Sequence, residues 1–290
     1  MIITNLTGGL GNQMFQYALG RHLAIKNKAE LKLHFTNALF STQRSFDLDC
    51  FNIDAMFASD RDLSKLGISN KRIVNRLAYL LDQRFRIRIN RSIITEKRPT
   101  FDKNILKLSG DIYLQGYWQS EYYFKDVADQ IRSDFKFVKK ISKKNEAIVR
   151  LIRHSNSVSL HIRRGDYVTD SSVKKIFTSM NSLYYKRAMN IIERKVKSPH
   201  FFIFSDDIKW AKENIKSKYK ILFIKHNKGK YSYEDMRLMS LCRNNIIANS
   251  SFSWWGAWLN KNNDKIIISP RKWSSTELGR DLLLKNWIKT

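Results

Sequence analysis

From Val158 to Ser269 the chain alternates short apolar runs with segments of helical length, and this alternation constrains the fold most. Val158-Ser159-Leu160-His161-Ile162-Arg163 alternates apolar and polar residues, as a half-buried strand does. Phe201–Phe204, Ile221–Ile224, Asn245–Ala248 and Lys265–Ile268 are further short apolar runs. Leu183–Val196, Ile208–Lys216, Tyr233–Cys242 and Phe252–Asn260 have helical patterning and lie between them. Strands separated by helices of this length predict βαβ units and a parallel sheet. Such a sheet binds ligands beyond the carboxyl ends of its strands. Those ends carry Arg163-Arg164-Gly165-Asp166, Asp206-Asp207, His226-Asn227 and Asn249-Ser250-Ser251, which are expected to converge on one crevice.

The first half opens in the same way. Met1–Leu6 reads as a strand, Thr7-Gly8-Gly9-Leu10-Gly11 as a glycine turn, and Phe15, Ala18, Leu19, His22 and Leu23 as one helix face. Beyond Lys32 the pattern is less regular. The charged stretch Lys139–Lys144 divides the chain into domains 1–145 and 146–290. Two α/β domains facing one another across a cleft is the economical architecture.

The 290 residues carry 53 Lys+Arg against 26 Asp+Glu, a formal net charge of +27 that must attract anions. Nucleic acid, an anionic membrane and phosphorylated small molecules are the partner classes. Part of the surplus is also read as lysine on solvated faces with no partner. Lys71–Arg98 is strongly basic, with a helical stripe of Ile73, Val74, Leu77, Ala78 and Leu81. It fits a helix on an anionic bilayer, or a core-packed helix with a solvated basic face. No apolar run approaches a membrane span of about 20 residues, and Met1–Asn5 has no basic leader. Two cysteines, Cys50 and Cys242, make no disulfide framework. A soluble, reducing, cytoplasmic setting is expected.

Within His161-Ile162-Arg163-Arg164-Gly165-Asp166-Tyr167, His161 and Arg163 share a strand face. Two guanidiniums at a strand end match a phosphate; the competing reading is a surface Arg–Asp pair worth little. Asn249-Ser250-Ser251-Phe252 opens a helix, where the serines are expected to cap the backbone N–H groups, and an anion also fits. Asp206 and Asp207 accept from a nucleobase or ribose, or cap the helix starting at Ile208; both readings stay open. Gly8-Gly9-Leu10-Gly11-Asn12-Gln13 is neither a P-loop nor a dinucleotide fingerprint. No Asp-X-Asp stands at a strand end, so no metal–diphosphate site is expected.

These residues together identify a family. Gly8–Ala18 resembles the opening motif of the bacterial α-1,2-fucosyltransferases, glycosyltransferase family 11. His161–Tyr167 resembles the His-x-Arg-Arg-x-Asp motif shared with α-1,6- and protein O-fucosyltransferases. Gln115–Ser120, Phe204–Asp207 and Asn249–Leu259 match family segments in order. The resemblance runs from about Ile2 to Leu259, and only Phe35–Asn104 has no counterpart.

The resemblance implies a GT-B-like fold, with an acceptor-side Rossmann-like domain at 1–145 and a GDP-fucose-binding one at 146–290. It implies inverting, metal-independent transfer of L-fucose from GDP-β-L-fucose to the 2-hydroxyl of a terminal galactoside, on a glycan or lipid-linked acceptor in surface polysaccharide synthesis. Peripheral contact with the inner face of an anionic membrane is a further expectation. Carried over by motif, Arg163 holds the β-phosphate, His161 sits beside ribose or diphosphate, and Arg164 and Asp166 support the loop. Asn249, Ser250, Ser251 and Phe252 form the phosphate cradle. Asp206 or Asp207 takes the guanine edge or ribose, and Gly9, Gly11 and Asn12 approach the fucose. For the general base, Asp111, Glu121 and no residue at all stay open. The rival classes are a transferase of another linkage, a basic nucleic-acid-binding protein, and a lectin-like galactoside binder.

Overall fold

The structure, a computed structural model, describes residues 1–35, 45–68 and 92–290; the side chains of Asp166, Ser172 and Val173 also lie outside the description. Most of Lys71–Arg98 therefore lies outside the described residues. The chain divides into two compact units, Met1–Lys136 and Phe137–Thr290. That division stands ahead of the one read at 145/146. The charged stretch belongs to the second unit, where the Arg237 guanidinium lies 4.7 Å from the Phe137 ring and donates to the Lys139 carbonyl at 2.7 Å.

The first unit holds a parallel sheet of β1 (Ile2–Leu6), β2 (Leu31–Phe35), β3 (Met56–Phe57), β4 (Ile93–Thr95) and β5 (Ile112–Gln115), in the order β3-β2-β1-β5-β4. β1 is almost wholly buried, as a central parallel strand must be, with Thr4 buried beside Ile2, Ile3 and Leu6. The helix Leu10–Asn27 follows it. The expected face is buried, and so is much of the rest: Gln13, Gln16, Tyr17 and Gly20 are buried as well. The reason is local. A Cβ on Gly20 would strike Thr4 and Leu31, so this helix packs tightly onto β1 and β2.

The second unit holds a parallel sheet of β6 (Asn156–Ile162), β7 (Pro199–Ser205), β8 (Ile221–Ile224), β9 (Asn244–Ile246), β10 (Ile267–Ser269) and β11 (Ile288–Lys289). Its order is β11-β10-β9-β6-β7-β8, with every pair parallel. The core is Val158, Leu160, Ile162, Phe201 and Ile203 packed against Tyr184, Tyr185, Ala188 and Ile192 of the helix Ser182–Lys195. Trp254 and Trp255 of the helix Ser251–Trp258 are fully buried, and the Trp254 indole donates to the Leu282 carbonyl at 2.9 Å.

In both sheets the chain crosses from one side of the first strand to the other. In the second unit the chain winds outward from β6 through β7 to β8, then returns to β9 on the other side of β6. In the first, the chain crosses after β3 to β4 at the far edge and then steps inward to β5, beside β1. Loops leaving the two strands at such a switch point diverge and open a crevice, which is where open α/β sheets bind ligands. The switch points select four loops: those after β6 and β9, and those after β1 and β5.

Candidate active site

At the second unit's switch point, β6 ends at Ile162 opposite Ser205 of β7. The next residues of the two strands pair by charge. Arg163 Nη1 lies 2.9 Å from Asp206 Oδ2, and Arg164 Nε lies 3.2 Å from Asp207 Oδ2. Asp206 also accepts from the backbone N–H of Arg164 at 2.9 Å and of Gly165 at 3.1 Å. A Cβ on Gly165 would sit 2.8 Å from Asp206 Oδ2, so only glycine lets the turn close onto that carboxylate. Asp207 is the N-cap of the helix Ile208–Asn214 and accepts from Trp210 N–H at 3.0 Å. The Arg164 guanidinium lies 4.3 Å from the Trp210 ring centroid, a distance at which cation–π attraction fixes it in place. Of the two roles left open for the aspartates, Asp207 performs the capping one. Asp206 anchors the β6 turn and does not stand as an open carboxylate.

The loop after β9 joins this group. Tyr167, on the short helix Gly165–Thr169, donates its hydroxyl to the Asn249 carbonyl at 2.9 Å. Its ring stacks on Phe177. Asn249 is fully buried, and its amide donates to the carbonyls of Thr178 and Trp273. Ser250 takes the N-cap position of the helix Ser251–Trp258, yet its side chain makes no capping hydrogen bond. For Ser250 the expectation of side-chain capping is corrected here. Ser253, one turn in, instead donates its hydroxyl back to the Ala248 and Ser250 carbonyls. Phe252 lies beside His161, with ring centroids 5.7 Å apart.

His161 is buried, and among the described residues its Nδ1 has no hydrogen-bond partner. Burial pushes the imidazole down to about 4; Asp206 opposes this and Arg163 reinforces it. The ring is therefore neutral near pH 7, with one N–H to donate. Asp166 follows Gly165 in the helix, and its side chain lies outside the described residues.

The β8 end does not join this group. His226 Nε2 lies 2.7 Å from Asn145 Oδ1, and Asn227 bonds both Asn145 and Asp235. Asn145 also donates to Glu234. Burial lifts the Asp235 carboxyl to about 7. Of the four strand ends expected to meet, three are linked by these bonds, and the fourth is absorbed in its own cluster.

The first unit's switch point is built from neutral groups. Gly8 has φ +76°, and a Cβ there would lie 2.6 Å from Asn12 Nδ2, so the turn requires glycine. Gly9 is the N-cap of the helix carrying Gly11 and Asn12. Gln13 Nε2 donates to the carbonyls of Gly8 and Ser45, and its Oε1 accepts from Asp47 N–H. Gln16 accepts from Thr7 N–H at 2.9 Å and donates to the Gly116 carbonyl at 3.0 Å, bridging the β1 and β5 loops. Gln119 Nε2 donates to Asn12 Oδ1 at 2.8 Å. Beneath this turn Glu96 accepts from the N–H groups of Tyr117 at 2.7 Å and Trp118 at 3.0 Å. Burial raises its carboxyl above the usual range, and those two bonds pull it back.

Gln13, Gln16, Glu96 and Gln119 were missed as individual residues in the sequence. A pair of glutamines three apart in a helix otherwise packed into the core is the signal that was available for the first two. Asp111 is placed at the other end of the sheet: it pairs with the Met1 amino group ahead of β5, away from the carboxyl edge. Among the described residues no group of three His, Cys, Asp or Glu side chains could hold a metal ion, and no helix is long and apolar enough to cross a membrane.

Residues 83–290 match the family model described as Glycosyl transferase family 11. The O-antigen biosynthesis glycosyltransferase WbnK of Escherichia coli is 35% identical, covering 98% of each chain. The alpha-1,2-colitosyltransferase of Escherichia coli is 34% identical, covering 96% of this chain and 93% of the relative. Galactoside alpha-(1,2)-fucosyltransferase 1 of Saimiri boliviensis boliviensis is 28% identical over 52% of this chain and 44% of its own. Among solved structures, fucosyltransferase NodZ from Bradyrhizobium aligns with a TM-score of 0.51 at 14% identity, covering 88% of this chain and 91% of its own. A mutant of Arabidopsis thaliana FUT1 in complex with GDP aligns at 0.53 with 12% identity, covering 95% of this chain and 72% of its own. These two share the GT-B-like fold of paired parallel α/β domains. With two full-length relatives at about a third identity and a family model over most of its residues, the chain belongs to glycosyl transferase family 11.

Proposed function

We propose that the protein transfers L-fucose from GDP-β-L-fucose, with inversion, to the 2-hydroxyl of a terminal galactoside during surface polysaccharide synthesis. The observation that carries this reading is the Arg163–Arg164 pair, held by Asp206 and Asp207 at the second unit's switch point, beside a helix N-terminus.

The chemistry asks for such a group. As the bond from the sugar C1 to the diphosphate breaks, negative charge grows on the departing GDP. Fixed cations and backbone N–H groups aimed at that charge lower the barrier without reorganising. Arg163 is assigned to the β-phosphate. Arg164, stacked on Trp210, and Asp166 keep the turn in shape. Neutral His161 donates to the diphosphate or ribose. The N–H groups of Ser251 and Phe252, with Asn249 holding their loop, form the anion cradle; the Ser250 N–H, expected to join them, is donated to the Ala248 carbonyl at 2.8 Å instead. Gly9, Gly11 and Asn12 are assigned to the transferred sugar. In this reading cationic side chains stand in for a metal, so turnover in excess EDTA should match turnover without it. Guanine or ribose recognition by Asp206 or Asp207 has weaker support, since both carboxylates already serve the loops.

The deciding experiment is incubation with GDP-fucose and a panel of galactosides, with the product linkage read by NMR. An α-1,2-fucosyl product supports the reading, and a product of another linkage removes it. A second reading, colitosyl transfer, is favoured by the full-length relative whose name carries that activity. Competition between the two GDP-sugars separates them. Nucleic-acid binding has little support, because Trp254, Trp255 and Trp258 are buried and offer no stacking face.

A further inference from the structure

We infer that Glu96 is a positioning residue for the sugar-facing turn Gly8–Asn12, acting through the turn after β5; this rests on the assignment of Asn12 to the transferred sugar. Glu96 directly follows β4, the outer neighbour of β5, and so lies at the carboxyl edge of the sheet. Its two oxygens are divided between two consecutive N–H groups, Oε2 with Tyr117 and Oε1 with Trp118. A carboxylate gripping two adjacent amides fixes the orientation of both peptide planes. Trp118 is held there at φ +54°, a conformation that a bulky residue adopts only under constraint. Gly116 has no room for a Cβ, which would strike Glu96, so carboxylate and turn are closely fitted.

The fitted turn then reaches across the switch point by two bonds. Gln119 donates to Asn12 Oδ1, and the Gly116 carbonyl accepts from Gln16, whose other end holds Thr7 N–H. The order of transmission is Glu96, the Tyr117–Trp118 peptides, Gln119 and Asn12. Glu96 needs no contact with a substrate to matter. Misplacing a positioning group by about 1 Å can cost roughly 100-fold in rate.

The test compares the parent, Glu96→Gln, Gln119→Leu and the double variant by hydrogen exchange, GDP calorimetry and steady-state kinetics. Glu96→Gln keeps the size but turns an NH2 group toward a backbone N–H. The expected result is faster exchange at Tyr117–Gln119 and at Gly8–Asn12, with the rest of the chain unchanged. GDP affinity should stay within about two-fold, kcat should drop on the order of ten-fold or more, and the double variant should be no worse than the poorer single one. Exchange confined to Tyr117–Gln119, normal turnover, multiplicative losses in the double variant, or global unfolding of Glu96→Gln would each overturn the inference. Exchange reads the transmission without turnover. A parent that binds no GDP therefore defeats the donor assignment, while the coupling of Glu96 to Asn12 is still decided.

Discussion

The two switch points both flank the first strand of a parallel sheet, and their chemistry is opposite. Each lies where a later strand pairs with the first strand of its sheet, β5 with β1 and β9 with β6. In the first unit the diverging loops are tied by neutral amides: Gln16 with Gly116, and Gln119 with Asn12. In the second, the loop after β6 is braced against the loop after β7 by ion pairs, Arg163 with Asp206 and Arg164 with Asp207, and is tied to the loop after β9 by the Tyr167 hydroxyl on the Asn249 carbonyl. Amide ties are satisfied on both sides and add no net charge. The ion pairs are partly exposed, and Asp206 and Asp207 also accept from backbone N–H groups, so each carboxylate holds a guanidinium and a loop at once. The crevice is thus framed by neutral amides in one unit and by ion-paired side chains in the other.

The largest expected effect tests the charged side. Arg163→Lys keeps the charge and loses the fork, so kcat should fall on the order of 100- to 1000-fold. Near-normal turnover of that variant with GDP-fucose would dissolve the contrast between the units.

Next in size is the acid response of the second unit. His161, at about 4 when folded and 6.5 ordinarily, binds its proton less tightly in the folded state. Between those values the unfolded chain holds more protons, so stability is full above pH 6.5 and drains as pH falls toward 4. The loss should reach on the order of 3 kcal/mol. Urea midpoints at pH 7 and pH 4.5 should differ in the parent, and the difference should shrink in His161→Phe. An unchanged slope would show that another group sets the acid response.

The neutral side should behave differently. Gln16→Leu strands Thr7 N–H and the Gly116 carbonyl, and should cost about 1–3 kcal/mol of stability. Because no charge is involved, that cost should be the same at 0.05 and 0.5 M salt in chemical denaturation. A strongly salt-dependent cost would mean that charges govern the first unit too. The smallest expected effect is Tyr167→Phe, which removes the bond to the Asn249 carbonyl at the β6–β9 link. It should cost about 0.5–1.5 kcal/mol, with a modest weakening of GDP binding by calorimetry. Unaltered GDP affinity would separate the Asn249 loop from the anion cradle.

Much of the second unit was legible in advance. Ile221–Ile224 is a strand with the expected bounds, and Tyr233–Leu241 and Ser251–Trp258 form helices within two residues of those expected. Apolar runs bounded by charged turns report strands of a parallel sheet directly, because both faces are buried. The first unit was harder to read. β3 is a pair of exposed residues, Met56 and Phe57, and β4 is three residues long, too short for periodicity to register. Ser250 shows the limit of local rules. Its position at a helix start predicts capping, yet the surrounding packing leaves its side chain out of that role.

By itself the sequence determined the alternation of strand and helix, the glycine at Gly8, and the clustering of Arg163, Arg164, Asp206 and Asp207 at strand ends. These follow from patterning and local backbone demands, which neighbouring residues carry. Only the tertiary structure decided which arginine pairs with which aspartate, and that His226 and Asn227 serve Asn145 instead of the site. It also decided that Glu96 reaches the turn after β5. Those choices depend on strand order, and strand order comes from burying each sheet's faces across the whole unit. No short stretch of sequence contains that information.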